Sequence, residues 1–240
     1  MKGLAEEDGK SIAKERGSGY RSVAELQHRA KLHRGALERL AEADALQSLG
    51  LDRRRALWAV KGLRDEQDLP LFTPLAGIGV KERAAVLPRM GLGEEVVEDY
   101  AALGLSLKCH PVALLRAALD EHRILGNGRL ATTAAEKRVR VAGLVLVRQQ
   151  PGTASGIIFM TLEDETGIAN IVVWRRVFER YRRVVMGAKL VECQGRVQRE
   201  GEVIHVVAER LIDLSPLLRR LWDPEARERP ALRLRSRDFR

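Results

Sequence analysis

Residues 137–214 alternate apolar and polar side chains with period two, run after run, and that pattern restricts them to strands with one buried face. Lys137 to Arg148 opens the stretch. Gly156 to Leu162 and Ile168 to Trp174 follow, separated by the turn Glu163-Asp164-Glu165-Thr166-Gly167. In that turn Gly167 is expected to supply the backbone freedom, and the Asp164 carboxylate to accept hydrogen bonds from the backbone. Arg175 to Met186 has helical spacing. Lys189 to Gln198 and Glu202 to Asp213 close the stretch, joined by a turn at Glu200-Gly201.

Five strands with a helix between the third and fourth make the layout of an OB barrel, a partly open Greek-key barrel that binds oligonucleotides across strands two and three. In strand one the alternation puts Val139, Val141, Gly143, Val145 and Val147 on one face. Arg138, Arg140, Ala142, Leu144, Leu146 and Arg148 fall on the other, where arginines suit phosphate contact. In strand two Ile158, Met160 and Leu162 share the face expected to be core, which turns Ile157, Phe159 and Thr161 outward. An outward Phe159 can stack on a base, or it caps the barrel end or packs against a neighbouring domain. Trp174, Phe178 and Tyr181 fall at helical spacing and read as the packing face of the barrel-closing helix.

Before the barrel the pattern is helical. A short run over Ala5 to Arg16 breaks at Gly17-Ser18-Gly19. Ser22 then caps a helix reaching Ala30, with Glu25 completing a capping box. Leu37 to Ala43 and Arg53 to Leu63 continue the series, the last carrying Arg53, Arg54, Arg55 and Lys61. Short helices joined by tight turns fit helix-hairpin-helix units, in which backbone N–H groups meet a phosphate at a helix N-terminus. Gly3 would serve one hairpin and Ala43-Asp44-Ala45 a second. Residues 65–78 read as a linker, 80–86 as a short helix, 94–103 and 112–122 as longer ones, 216–222 as a short one, and 223–240 as an Arg-rich tail.

The net charge of +9 makes a polyanion the natural partner, and nucleic acid the leading one. Only 4% of residues are aromatic, so backbone electrostatics rather than an extended stacking platform should dominate binding. Cys109 and Cys193 have no CxxC partner, which argues against zinc and disulfides and for reduced thiols. No apolar run approaches the roughly 20 residues that cross a bilayer, so a cytoplasmic protein with no membrane partner is expected. No phosphate-binding GxxxxGK[ST] loop, HExxH or GxSxG is present. Two-metal phosphoryl transfer needs clustered carboxylates, and the one candidate, Glu163-Asp164-Glu165, sits in a turn. Cys109 beside His110 lacks an orienting third group.

Phe159-x-Thr161-Leu162-Glu163-Asp164-Glu165-Thr166-Gly167-x-x-Asn170 with Val172-Val173-Trp174 resembles the OB domain of bacterial C-family (DnaE-type) replicative polymerases, closest to the error-prone branch used in damage-induced mutagenesis. Lys2-Gly3-Leu4 with Glu7-Asp8-Gly9, and Leu40-Ala41-Glu42-Ala43-Asp44-Ala45, are similar to its tandem helix-hairpin-helix. Leu49 to Arg54, Ala56-Leu57-Trp58, Leu103 to Leu107 and His110-Pro111 are similar to its connecting region, and Ser236-Arg237-Asp238-Phe239-Arg240 to its C-terminus. The resemblance implies a carboxy-terminal fragment of a DNA-directed DNA polymerase of translesion synthesis. That family's palm aspartates have no counterpart here, so this chain is not expected to polymerise alone and carries no cofactor. Mg2+ and dNTPs belong to the full-length enzyme.

The expected fold is α+β and multidomain: a tandem helix-hairpin-helix region over 1–64, a helical connecting region over 65–130, a five-stranded OB barrel over 131–214 and a tail over 215–240. The candidate nucleic-acid-binding residues are Lys2, Gly3, Arg138, Arg140, Arg148, Phe159, Thr161 and Arg196. The implied partners are primer-template duplex, single-stranded template, mutagenesis accessory proteins and the sliding clamp. Two alternatives stand beside this reading. One is a stand-alone single-stranded nucleic-acid binder, with RNA a possible ligand as in the anticodon domains of class II synthetases; the other is a non-catalytic protein-interaction module.

Overall fold

The computed structural model describes residues 3–63, 87–151, 156–201 and 203–222. Lys2, the 65–78 linker, the 80–86 helix and the 223–240 tail lie outside the described residues. The chain divides into two compact units, Met1–Ser106 and Leu107–Arg240.

The first unit is helical: α1 Glu6–Lys14, α2 Val23–Ala30, α3 Arg34–Glu42, α4 Arg53–Lys61 and α5 Leu92–Ala102. Side chains fix three of the starts. Ser22 Oγ accepts from the Glu25 N–H at 3.1 Å, the first half of the expected capping box, while the Glu25 carboxylate reaches one residue past the N-cap to accept from the Arg21 N–H at 2.8 Å. The Arg21 N–H, and then the Arg29 guanidinium, hold the Glu25 carboxyl below its ordinary range. Asp52 caps α4 through the Arg55 N–H at 2.9 Å. A ring nitrogen of His33 caps α3 through the Ala36 N–H at 3.2 Å. Leu26, Leu37, Leu40 and Val60 are buried, and Ala36, Ala41 and Ala56 let the helices approach closely around them.

One expectation for this unit needs correcting. The stretch Ala43-Asp44-Ala45 does not join two helices in a hairpin. It is a turn with Asp44 at φ 56° that leads from α3 into a single 3-10 turn, Gln47–Leu49. The tight hairpin is Lys31-Leu32-His33 between α2 and α3, with Lys31 at φ 52° and Leu32 buried as its anchor. Of the basic residues on α4, Arg53 turns inward. It is buried, donates to the Glu95 carbonyl at 3.0 Å and pairs with Asp99, tying α4 to α5.

The second unit is a closed barrel of β1 Arg138–Gln149, β2 Ile158–Asp164, β3 Gly167–Val173, β4 Leu190–Glu200 and β5 Val203–Asp213. Its order is β1-β2-β3-β5-β4, with β3 and β5 parallel and the other pairs antiparallel. The fold is therefore mixed α+β, with the helical region first and the five-stranded barrel after it, as the alternation predicts. The core is the inward set expected from period two, including Val139, Val141, Ile158, Met160, Leu162, Ile171, Val173, Cys193 and Val206. The connecting stretch supplies a 3-10 segment Pro111–Leu115, α6 Arg116–Glu121 and a second 3-10 segment Asn127–Thr132, where one continuous helix over 112–122 was expected. His110 opens it by accepting the Val112 N–H at 3.2 Å.

Between β3 and β4 lies α7, Arg175–Gly187, kinked at Tyr181 (φ −114°, ψ 24°). Val177, Phe178, Tyr181 and Val184 pack it against the barrel core. The last element is α8, Ser215–Trp222. Among the described residues no helix is long and apolar enough to cross a membrane.

Candidate nucleic-acid interface

Cross-strand register decides which outward side chains are neighbours, because directly paired residues point to the same side of a sheet. One row runs Gln149, Phe159, Val172, Val207, Arg196, Arg138 across β1, β2, β3, β5, β4 and back to β1. The next row runs Val147, Thr161, Asn170, His205, Gln198. Residues far apart in sequence are thus brought onto one surface centred on β2 and β3.

That surface carries an aromatic pair over neutral hydrogen-bonding groups. Phe159 is 36% exposed. Trp174 was expected to pack the helix, yet it is 52% exposed, while Phe178 and Tyr181 do pack inward. The reason is its position. Trp174 is the N-cap of α7 with extended backbone (φ −65°, ψ 152°), so it continues the β3 alternation and points away from the buried Val173. It lies two residues beyond Val172, the partner of Phe159, which is about 7 Å along the strand. Thr161 and Asn170 are paired one step away, with His205 and Gln198 beyond them. Thr161, Asn170 and Gln198 both donate and accept, and so can meet base edges without a fixed charge.

The arginines chosen from the sequence are distributed differently. Arg138 stands 3.3 Å from Glu209, and Arg196 3.0 Å from Glu209 and 4.0 Å from Glu136, all well exposed. Exposed pairs of this kind are worth about 0–1 kcal/mol, so a phosphate can replace the carboxylate. Arg140 instead donates at 2.8 Å to Glu192, a carboxylate with 0% exposure that also accepts from Gln194 at 2.8 Å. Arg148 donates to the carbonyl of Val185 at 2.5 Å and to that of Ala188, closing the C-terminal end of α7. A bulge between Val145 and Val147 puts it there. The register shift turns Val147 outward beside Thr161 and pairs Arg148 with inward Met160, off the face that strict alternation assigned.

The β2–β3 turn is held from below. Asp164, 3% exposed, accepts through Oδ1 from the Thr166 N–H and hydroxyl at 2.7 Å and the Gly167 N–H at 3.0 Å. Through Oδ2 it accepts from Arg116 at 2.9 Å and the Asn127 N–H at 2.8 Å. Glu165 holds the other side of the Arg116 guanidinium at 2.5 Å and is the main reason its pKa is raised. The Glu163-Asp164-Glu165 triplet is therefore a structural joint that positions the strand pair. Among the described residues no group of three His, Cys, Asp or Glu side chains is arranged to hold a metal.

In the helical unit the turn at Gly3 and the α2–α3 hairpin differ in charge. Gly3 (φ 78°) leads into α1, whose first turn carries Glu6, Glu7 and Asp8. Carboxylates there complement the helix dipole and oppose a phosphate. The α2–α3 hairpin presents exposed Lys31, His33 and Arg34 at the start of α3, with Asp8 3.7 Å from His33. Arg34 donates to the Lys61 carbonyl at 3.0 Å and stands 3.5 Å from Glu38, an exposed pair that a phosphate can replace, while Lys31 has no carboxylate partner among the described residues. Lys31, Arg34, Asn170, Trp174, Gln198 and His205 were not among the binding residues chosen from the sequence. For Trp174 the usable signal was its place one residue past the last buried position of a strand.

A family model described as an OB-fold nucleic acid binding domain matches residues 139–214, and one described as a helix-hairpin-helix motif matches residues 1–56. Error-prone DNA polymerase 1 from Rhizobium meliloti is 53% identical across 91% of this chain and 20% of that protein. Error-prone DNA polymerase from Caulobacter vibrioides is 48% identical across 100% of this chain and 23% of that protein. Among solved structures, asparaginyl-tRNA synthetase from Pyrococcus horikoshii complexed with asparaginyl-adenylate shares 25% identity over 38% of this chain and 22% of that one, with a TM-score of 0.33. The chain spans about a fifth of the length of the curated relatives it matches. Over nine-tenths of its length or more it is a homologue of part of the error-prone DNA polymerases, carrying a helix-hairpin-helix region and an OB-fold nucleic-acid-binding domain.

Proposed function

We propose that this chain is the DNA-holding part of an error-prone polymerase, gripping single-stranded template on the β2–β3 face and duplex phosphates at the α2–α3 hairpin. The observation that carries this is the exposed aromatic pair Phe159 and Trp174 beside Thr161 and Asn170. A single strand offers unstacked bases to such rings, and a duplex does not. The proposed binding residues on the barrel are Phe159, Thr161 and Trp174, with Arg138 and Arg196 free to exchange a carboxylate for a phosphate. Arg140 and Arg148 serve the framework. The helix that follows Gly3 begins with three acids, so Lys31 and Arg34 replace Lys2 and Gly3 as the proposed phosphate ligands.

The polymerase activity named for the relatives is proposed for the whole protein, in the bacterial cytoplasm. Translesion synthesis, mutagenesis accessory proteins, the sliding clamp, Mg2+ and dNTPs are its proposed setting. This chain's own chemistry is binding.

The test is fluorescence anisotropy with labelled single-stranded DNA, single-stranded RNA and primer-template duplex at low and moderate salt. Phe159→Ala and Trp174→Ala should each weaken single-strand binding by about 1–3 kcal/mol, roughly 5-fold to more than 100-fold, and spare duplex binding. Unchanged single-strand affinity in both variants would sink the reading. A clear RNA preference would favour a stand-alone RNA binder instead.

A further inference from the structure

Helix α7 carries Arg175, Arg176, Arg180, Arg182 and Arg183 against the single acid Glu179, and all six side chains are exposed. Arg175 pairs with Glu179 at 3.0 Å. Among the described residues Arg176, Arg180, Arg182 and Arg183 make no ion pair, in contrast to Arg138, Arg140 and Arg196 on β1 and β4. Arg180 and Arg182 lie over the rings of Tyr181 and Phe178, at 5.4 and 5.7 Å from the ring centres, which limits how far they can swing. Arg176 and Arg180 stand one turn apart, and like charges at that spacing destabilise a helix unless an anion lies between them.

The basic surface is continuous with the aromatic pair. α7 starts at the residue after Trp174, and the stem of Arg175 lies against Gly156, where a Cβ would meet its Cδ at 3.2 Å. From Arg176 to Arg183 the helix rises about 10 Å, long enough to meet more than one phosphate of a strand.

We propose that α7 is a second nucleic-acid contact, a phosphodiester track that takes up the strand where it leaves Phe159 and Trp174. The proposal rests on the reading of the β2–β3 face. Its ligand is the backbone of a single strand, so this contact is indifferent to base and sensitive to salt and to length.

The experiment uses oligothymidylates of about 6 and about 18 nucleotides, which bracket the footprint of one OB barrel. The full chain is compared with R176Q/R180Q/R183Q and with F159A/W174A, with circular dichroism melts to confirm that each is folded. The arginine variant should bind the short oligomer as the unsubstituted chain does and lose the gain in affinity on lengthening. Its salt slope on the long oligomer should fall by about 2, from about 0.7 per phosphate, so that a fourfold rise in salt weakens it about 15-fold less. Equal affinity and slope at both lengths would overturn the track and leave α7 to an acidic protein partner. Short-oligomer binding that survives F159A/W174A, or no binding at all by the unsubstituted chain, would overturn the face itself and the track with it.

Discussion

Asp164 accepts five hydrogen bonds from three separate segments and is almost wholly out of solvent. Its bonds to Thr166 and Gly167 were legible in the sequence, because an Asp two or three residues before a turn glycine has only local donors to choose from. Its bonds to Arg116 and Asn127 were not, since they join residues 48 and 37 positions apart and depend on the closed barrel. Removing the carboxylate leaves Arg116 partly unpaired and takes the acceptor from three backbone N–H groups, of which that of Asn127 is buried. Asp164→Ala should therefore destabilise the barrel by about 3 kcal/mol, measured by urea unfolding. A loss under about 0.5 kcal/mol, the scale of an ordinary surface change, would contradict the role given to it.

At the scale of elements, period-two alternation was enough to place five strands and the helix between the third and fourth. It failed inside β1, where the Val145–Val147 bulge reverses the faces with no glycine or proline to mark it. The same strand passes from β4 to β2 at Gly143, which pairs with Val191 while the next residue pairs with both Leu190 and Glu163. There a Cβ would meet the Glu163 carbonyl oxygen at 2.6 Å, and that oxygen belongs to backbone that cannot step aside. Gly195, beside the β4–β5 bulge, faces the Val207 carbonyl in the same way. Gly143→Ala should lower barrel stability by about 3 kcal/mol in urea titrations, although alanine usually suits a strand better than glycine. A neutral or stabilising result would mean that β1 does not turn its corner at that residue. The helical starts at Ser22 and Asp52 follow ordinary capping chemistry. The Lys31–His33 hairpin was missed because its positive φ falls on a lysine rather than a glycine.

For the molecule as a whole, a net charge of +9 pointed to nucleic acid but not to where it binds. Burial and register redistribute that charge. Arg138, Arg140 and Arg196 are paired with carboxylates, the outward side chains at the centre of the β2–β3 face are aromatic or uncharged, and among the described residues cations without a carboxylate partner gather on α7. Stacking and hydrogen bonding should accordingly weigh more on the barrel than the composition implied, with phosphate contact strongest elsewhere. Amide chemical-shift mapping of the full chain by NMR reads both surfaces in one experiment. On adding a short oligothymidylate, the account predicts the largest shifts at Phe159, Thr161, Asn170 and Trp174; on adding a short duplex, it predicts them at Lys31 to Gly35. Single-strand shifts confined to the outer side of β1 and β4, or to the helical unit, would contradict the central claim that the β2–β3 face holds the strand.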